Sequence, residues 1–356
     1  MPSQPPLPPL LAPYVSSLPP SSLTVLSSVL GATGNWLALR FLYAALSVSA
    51  SDATLSLSDT NNGKKRKVVL VSFLRGWEFW RTEAKRLGLD LARLTDKHEF
   101  AFIDGLSELF SVPSTTSTQA PTHQASLRGA VPPRTVLPLR SQPGPVPARG
   151  PQPVHRPVAA APNPPASREI GPVRRLHLSG NGTAALDALE KDISAVINGL
   201  RTSTAGDGQE DPEILLVLDQ PDLLLAATGP GKGVGATEMG DWVMGLQQYA
   251  HATVLTVSAD SPLIHNASTS AHQLATPLET QHAAFAIGSG HRAHMVMQLR
   301  NLETGAARDV SGVLRVSKGG AWGQNNNTEN DSRWEEKEVL YFVQRDGGVS
   351  VFGRGE

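Results

Sequence analysis

The stretch from Val68 to Gly105, VVLVSFLRGWEFWRTEAKRLGLDLARLTDKHEFAFIDG, decides the fold. Val68–Phe73 is a nearly unbroken apolar, β-branched run, the pattern of a strand covered on both faces. Trp77–Leu87 carries its apolar residues at helical spacing, and Phe100–Ile103 is a second short apolar strand. Strand, helix and strand in close succession build parallel pairing with a crossover helix.

The same alternation continues in both directions. Before it lie strand Leu23–Leu30 and helix Trp36–Leu46. After it comes helix Thr183–Leu200, with Leu186, Leu189, Ile193, Ile197 and Leu200 on one stripe. Strand Ile214–Leu218, helix Thr237–Ala250, strand Thr253–Ser258 and a helix over about Leu278–Ala286 follow. The end reads as antiparallel: His294–Leu299, Gly312–Ser317, Val339–Gln344 and Val349–Phe352, the last two joined by Asp346-Gly347-Gly348. The expected fold is α/β. It has a mostly parallel twisted sheet flanked by helices, with antiparallel C-terminal edge strands.

Composition divides the chain. Residues 111–175 hold 15 of its 28 prolines, and eight arginines there face Glu169 alone. Such a segment cannot bury enough apolar surface to offset its ordering entropy, so it reads as a disordered insertion. It is either a solvated loop, a basic tether for RNA or an acidic partner, or a polyproline ligand. Residues 1–20, with eight prolines, read as a disordered tail, which leaves 21–110 and 176–356 as one domain. The net charge of −1 gives no global reason for nucleic-acid or membrane binding, and the chain has no cysteine. The apolar stretch Leu23–Ala50 is broken by Gly31, Gly34, Asn35 and Arg40, so no membrane role is expected. The expected compartment is the cytoplasm, with the nucleus as a second one.

In a doubly wound sheet, ligands sit where strands feed helix N-termini. At the first such junction Gly31 and Gly34 suggest a phosphate loop, but Asn35-Trp36 stand where a lysine and a Ser/Thr should be. At the second, Leu74 and Arg75 stand where a hydrolase needs a carboxylate to orient water. At the third, Asp219 follows an apolar strand, as a magnesium-binding acid or as an ordinary turn and capping residue. No cofactor, metal or catalytic residue is therefore expected. His291 and His294 lack zinc spacing, and Asp260-Ser261 lacks a nucleophile elbow. The basic run Lys64-Lys65-Arg66-Lys67 is an import or phosphate-contact signal, or a solubilising loop end.

Within Lys67–Gly105, the residues Ala84, Leu87, Gly88, Asp90, Leu91 and Asp104 match the pattern of RecA-type ATPases of the KaiC and RadA group. Leu74 and Arg75 replace that group's two glutamates. Val313–Gly320 resembles its strand carrying a Lys-x-Arg finger; Lys318 fits, while Gly320 stands in the arginine's place. Three further runs, FLRGWEFW from Phe73, FIDGLSELF from Phe102 and VSADSPL from Val257, resemble the Elongator complex protein 6 family. That resemblance covers most of the chain outside the proline-rich insertion. It implies a RecA-like subunit of a six-membered ring with Elongator proteins 4 and 5. The ring would dock on the catalytic Elongator subunits and help bind and release tRNA during wobble-uridine modification.

The expectation is a non-catalytic scaffold subunit. An active RecA-like ATPase or recombinase paralogue, and a Pro-rich adaptor on an unrelated α/β domain, stand as alternatives. Trp77, Phe79 and Trp80 are more aromatic surface than one core face usually takes. They read either as plain core packing or, for some of them (Trp77 and Trp80 as candidates), as interface contacts. Arg75, Arg315 and Lys318 are candidate contacts to RNA or a partner.

Overall fold

A computed structural model describes residues 7–55, 66–111, 171–203, 211–228, 230–264, 275–303, 305, 307–323 and 335–353. Lys64, Lys65 and residues 112–170 of the expected insertion lie outside these. Among the described residues ten strands form one sheet. They are β1 (Ser22–Ser28), β2 (Arg66–Ser72), β3 (Phe100–Asp104), β4 (Arg174–Arg175), β5 (Glu213–Asp219), β6 (Ala252–Ser258), β7 (Met295–Arg300), β8 (Gly312–Lys318), β9 (Lys337–Val343) and β10 (Val349–Phe352). Their order is β10-β9-β8-β7-β1-β6-β5-β2-β3-β4.

From β7 to β4 every neighbouring pair is parallel. The pairs β7–β8, β8–β9 and β9–β10 are antiparallel. This is the α/β plan expected from sequence, with one correction. The run His294–Leu299 does not open a separate antiparallel tail. As β7 it pairs parallel with β1 on one side and antiparallel with β8 on the other.

The helices are α1 (Ala12–Val15), α2 (Asn35–Leu55), α3 (Trp77–Arg86), α4 (Leu91–Asp96), α5 (Gly182–Thr202), α6 (Leu223–Thr228), α7 (Ala236–Gln247), α8 (Ser261–Ile264) and α9 (Pro277–Arg292). Side chains alternate across a strand, so each central strand feeds two cores. Val68 and Leu70 join Leu37, Phe41, Trp80 and Leu91 on one face. Val69 and Val71 join Leu189, Ile193, Trp242 and Phe285 on the other. The stripe on α5 is buried from Leu186 to Leu200. Helix α9 begins at a capping box: Thr276 accepts from the Glu279 amide, and Glu279 accepts from the Thr276 amide. It runs past the predicted end at Ala286 through Gly288 and Gly290 to Arg292.

Three segments depart from their expected roles. In the proline-rich N-terminus, Leu11, Tyr14 and Val15 are buried in the first core, so residues 12–15 are not a free tail. At the close of the expected insertion, Arg174 and Arg175 extend the sheet beside β3 and pair with Asp192 and Glu108. Lys67 is 0% exposed. Its Nζ donates to the Leu200 carbonyl at 2.5 Å and to Ser203 Oγ at 3.0 Å, holding the C-terminal end of α5. It is therefore not part of an accessible basic run.

Candidate functional site

The strands β1, β2, β5 and β6 end side by side, at Ser28, Ser72, Asp219 and Ser258. This carboxyl edge is where an open α/β sheet holds its ligand. Its first junction closes quickly. The Ala32 amide donates to the Val29 carbonyl at 2.8 Å, and α2 starts at Asn35. The Leu30 amide, placed where a phosphate loop would present donors, donates to Asp260 Oδ1 at 2.9 Å. Neither glycine stands in open space: a Cβ on Gly31 would come within 2.7 Å of the amide end of the exposed Asn301 side chain, and one on Gly34 within 3.3 Å of Leu299.

The second and third junctions meet in one polar cluster. Asp219 is buried and accepts from Ser72 Oγ at 2.7 Å and Thr256 Oγ1 at 3.1 Å. Arg75 Nη1 reaches both carboxylate oxygens, at 3.0 and 3.3 Å. The guanidinium also lies over the Phe79 ring, 5.3 Å from its centre. Burial pushes the Asp219 carboxyl above the ordinary carboxylate range; the Arg75 charge and the hydroxyl donors pull it back. A fixed side-chain cation thus occupies the flank of the acid that a nucleotide-bound magnesium ion would need.

Next to it lies a second network that the sequence did not single out. Gln220 has φ +56°, and its amide donates to Thr256 Oγ1 at 2.9 Å. Ser258 Oγ donates to Gln220 Oε1 at 2.8 Å, while its amide reaches Asp222 Oδ2 at 3.2 Å. His282 Nε2 stands 3.0 Å from that same oxygen, with both side chains buried. The only sequence trace of this network is the pair of acids flanking Gln220-Pro221. His282, 60 residues further on, has no local motif.

The other expected contacts scatter. Trp80 is 0% exposed and Trp77 is buried beside Phe102, so both belong to the core rather than to an interface. The reason is that α3 turns this face onto β2 and β3. Arg315 and Lys318 are exposed on β8. Lys318 pairs with Met295 at the start of β7, which places it at the amino edge, opposite Arg75. The structure does not bring Arg75, Arg315 and Lys318 into one patch. The carboxyl edge instead exposes apolar side chains: Leu30 after β1, Leu74 after β2, and Leu106 and Phe110 after β3, with Leu30 at 86%.

No family model and no curated protein matches the chain. Among solved structures, it is similar to the KaiC-like protein of the hyperthermophilic archaeon Pyrococcus horikoshii. That match covers 98% of this chain and 97% of the other, at 12% identity and a TM-score of 0.48. Among the described residues no helix is long and apolar enough to cross a membrane. The residues at the three junctions do not fit magnesium and a nucleoside triphosphate. Asn35 lacks the lysine charge, Asp219 is held by Arg75, and the Leu30 amide is held by Asp260.

Proposed function

We propose that this chain is a non-catalytic RecA-like subunit that works by assembling with partners. The carrying observation is the Arg75–Asp219 pair: the strand-end acid, at the place where a related ATPase would bind magnesium, is bound by the protein's own cation. Phosphoryl transfer depends almost entirely on positioning and charge, so a frame that neutralises its own charges internally is poor at hydrolysis.

The motifs at Phe73, Phe102 and Val257 favour the Elongator complex protein 6 family as the particular assignment. On that reading the chain enters a six-membered ring with Elongator proteins 4 and 5. It would serve wobble-uridine modification by helping the ring hold tRNA, docked on the catalytic Elongator subunits. Two features suit assembly. Leu30, Leu74, Leu106 and Phe110 give the carboxyl edge an apolar surface, and Lys318 sits at the edge remote from the chain's own junctions.

The test is to purify the chain alone and with Elongator proteins 4 and 5, then measure mass and ATP turnover. Co-elution at the mass of a ring, with no turnover by the lone chain, is expected. A monomer indifferent to both partners would overturn the ring assignment, and hydrolysis by the lone chain would overturn the non-catalytic reading.

A further inference from the structure

Helix α5 carries two Asn-Gly pairs, and the fold treats them differently. Asn181-Gly182 opens the helix, with Asn181 as its N-cap, while Asn198-Gly199 lies near the far end. Both asparagines are exposed. Asn181 is extended, at φ −136° and ψ 157°, and its side chain makes no capping hydrogen bond, although asparagine is a favoured cap. Gly182 has φ +58°, a left-handed conformation that glycine adopts because it lacks a Cβ. Its amide is the first of the helix, and the first amides have no acceptor within it. The Gly199 amide is an interior one, whose acceptor is the carbonyl four residues back.

We propose that Asn181 is a site of spontaneous deamidation, through which the start of α5 gains a carboxylate as the protein ages. The Gly182 amide nitrogen attacks Cγ of Asn181. The new C–N bond closes a succinimide ring, the Cγ–Nδ2 bond breaks, and ammonia leaves with the amide proton. Water then opens the ring. Cleavage at the Cγ carbonyl gives aspartate, and cleavage at the main-chain carbonyl gives isoaspartate. Nothing is oxidised or reduced, and water is the only co-reactant. Asparagine is a thermolabile residue in general, but at Asn198 the helix fixes ψ and engages the nitrogen, so ring closure there waits on local unwinding.

The place of the change gives it a consequence. The backbones of Gly182 and Gly233 lie against each other: a Cβ on Gly233 would stand 3.5 Å from the Gly182 Cα. Gly233 leads into α7. Aspartate at the N-cap suits the helix, since a negative charge is favoured at that end. Isoaspartate instead adds a methylene to the main chain where the two backbones meet. The site is separate from the Asp219 cluster and does not depend on the ring assignment.

The experiment ages the full chain in mildly alkaline buffer and maps its tryptic peptides by mass, scoring the gain when an amide becomes a carboxylate. Cuts after Arg175, Lys191 and Arg201 put Asn181 and Asn198 on separate peptides. Asn62-Gly63, outside the described residues, is read on a peptide of its own. In the folded chain Asn181 should convert about tenfold faster than Asn198 or more, and in urea the two rates should converge. Labelling by a protein carboxyl methyltransferase should find isoaspartate on the Asn181 peptide. Asn181→Ser keeps a capping oxygen but has no amide to lose, and should abolish both signals from that peptide. No conversion of Asn181 in the folded chain, or conversion no faster than at Asn198, would overturn the proposal. A difference that persists unchanged in urea would overturn it too, because local sequence and not the fold would then select Asn181.

Discussion

Asp219 and Arg75 lie 144 positions apart in the chain and 3.0 Å apart in space. Neither side chain is informative alone: an Asp after a buried strand is common, and an Arg at a strand end is commonly solvated. Together they form a buried pair, and breaking such a pair from one side leaves an uncompensated charge. Arg75→Met should therefore destabilise the chain by about 3 kcal/mol at neutral pH, the low end for a buried pair because Arg75 keeps an edge in solvent. The pH dependence has a definite sign. Losing Arg75 removes the largest influence holding the Asp219 carboxyl down, so its folded-state pKa rises further above the unfolded value. Such a group lends stability that is complete below its unfolded pKa and lost as pH rises through its folded pKa. The deficit of Arg75→Met should be small near about pH 4 and grow toward neutrality, read by urea unfolding. A deficit flat across that range would mean that Asp219 is not the group responsible. Lys67 teaches a similar lesson. In sequence it belongs to a basic run, yet its place on the strand points it inward, and the end of α5 supplies its acceptors.

At the scale of elements, strands were legible because β2, β5 and β6 are apolar on both faces, and α5 because its stripe repeats at helical spacing. The end of α9 was not, since Gly288 and Gly290 read as breakers while packing carries the helix on to Arg292. Its start falls at Pro277, one residue before the expected Leu278, and is fixed by the Thr276–Glu279 capping box. Replacing Thr276 with Ala should cost about 1 kcal/mol in thermal unfolding, the usual worth of an N-cap; no change would show that Pro277 and packing set the helix start. Helix α3 shows the limit of reading aromatics. Its Trp77, Phe79 and Trp80 exceed one ordinary core face, but Trp77 stacks on Phe100 and lies tilted against Phe102, both on the face of β3 that α3 covers. Trp80→Ala should cost about 3–5 kcal/mol as a core cavity, lowering folding rather than binding alone. By contrast, joint replacement of Leu30, Leu74 and Leu106 by Ser should leave the melting temperature close to wild type and abolish co-elution with ring partners. Unchanged co-elution would move assembly away from this edge.

For the molecule as a whole, the class of fold was visible in the alternation of strands and helices, but the order of strands was not. Placing β1 between β6 and β7 joins residues more than 200 positions apart, a choice made by tertiary packing and not by any local signal. The same long reach hid the Gln220–Ser258 and Asp222–His282 contacts, which only the finished sheet brings together. The carboxyl edge of the sheet is where an open α/β fold holds its ligand. Its anion donor and its acid are both occupied by the chain's own side chains. The most direct measurement is steady-state ATP turnover by the purified full-length chain, beside its Asp219→Asn variant. The expected result is no turnover above buffer for either protein; robust hydrolysis by the wild type, lost in Asp219→Asn, would contradict the non-catalytic reading.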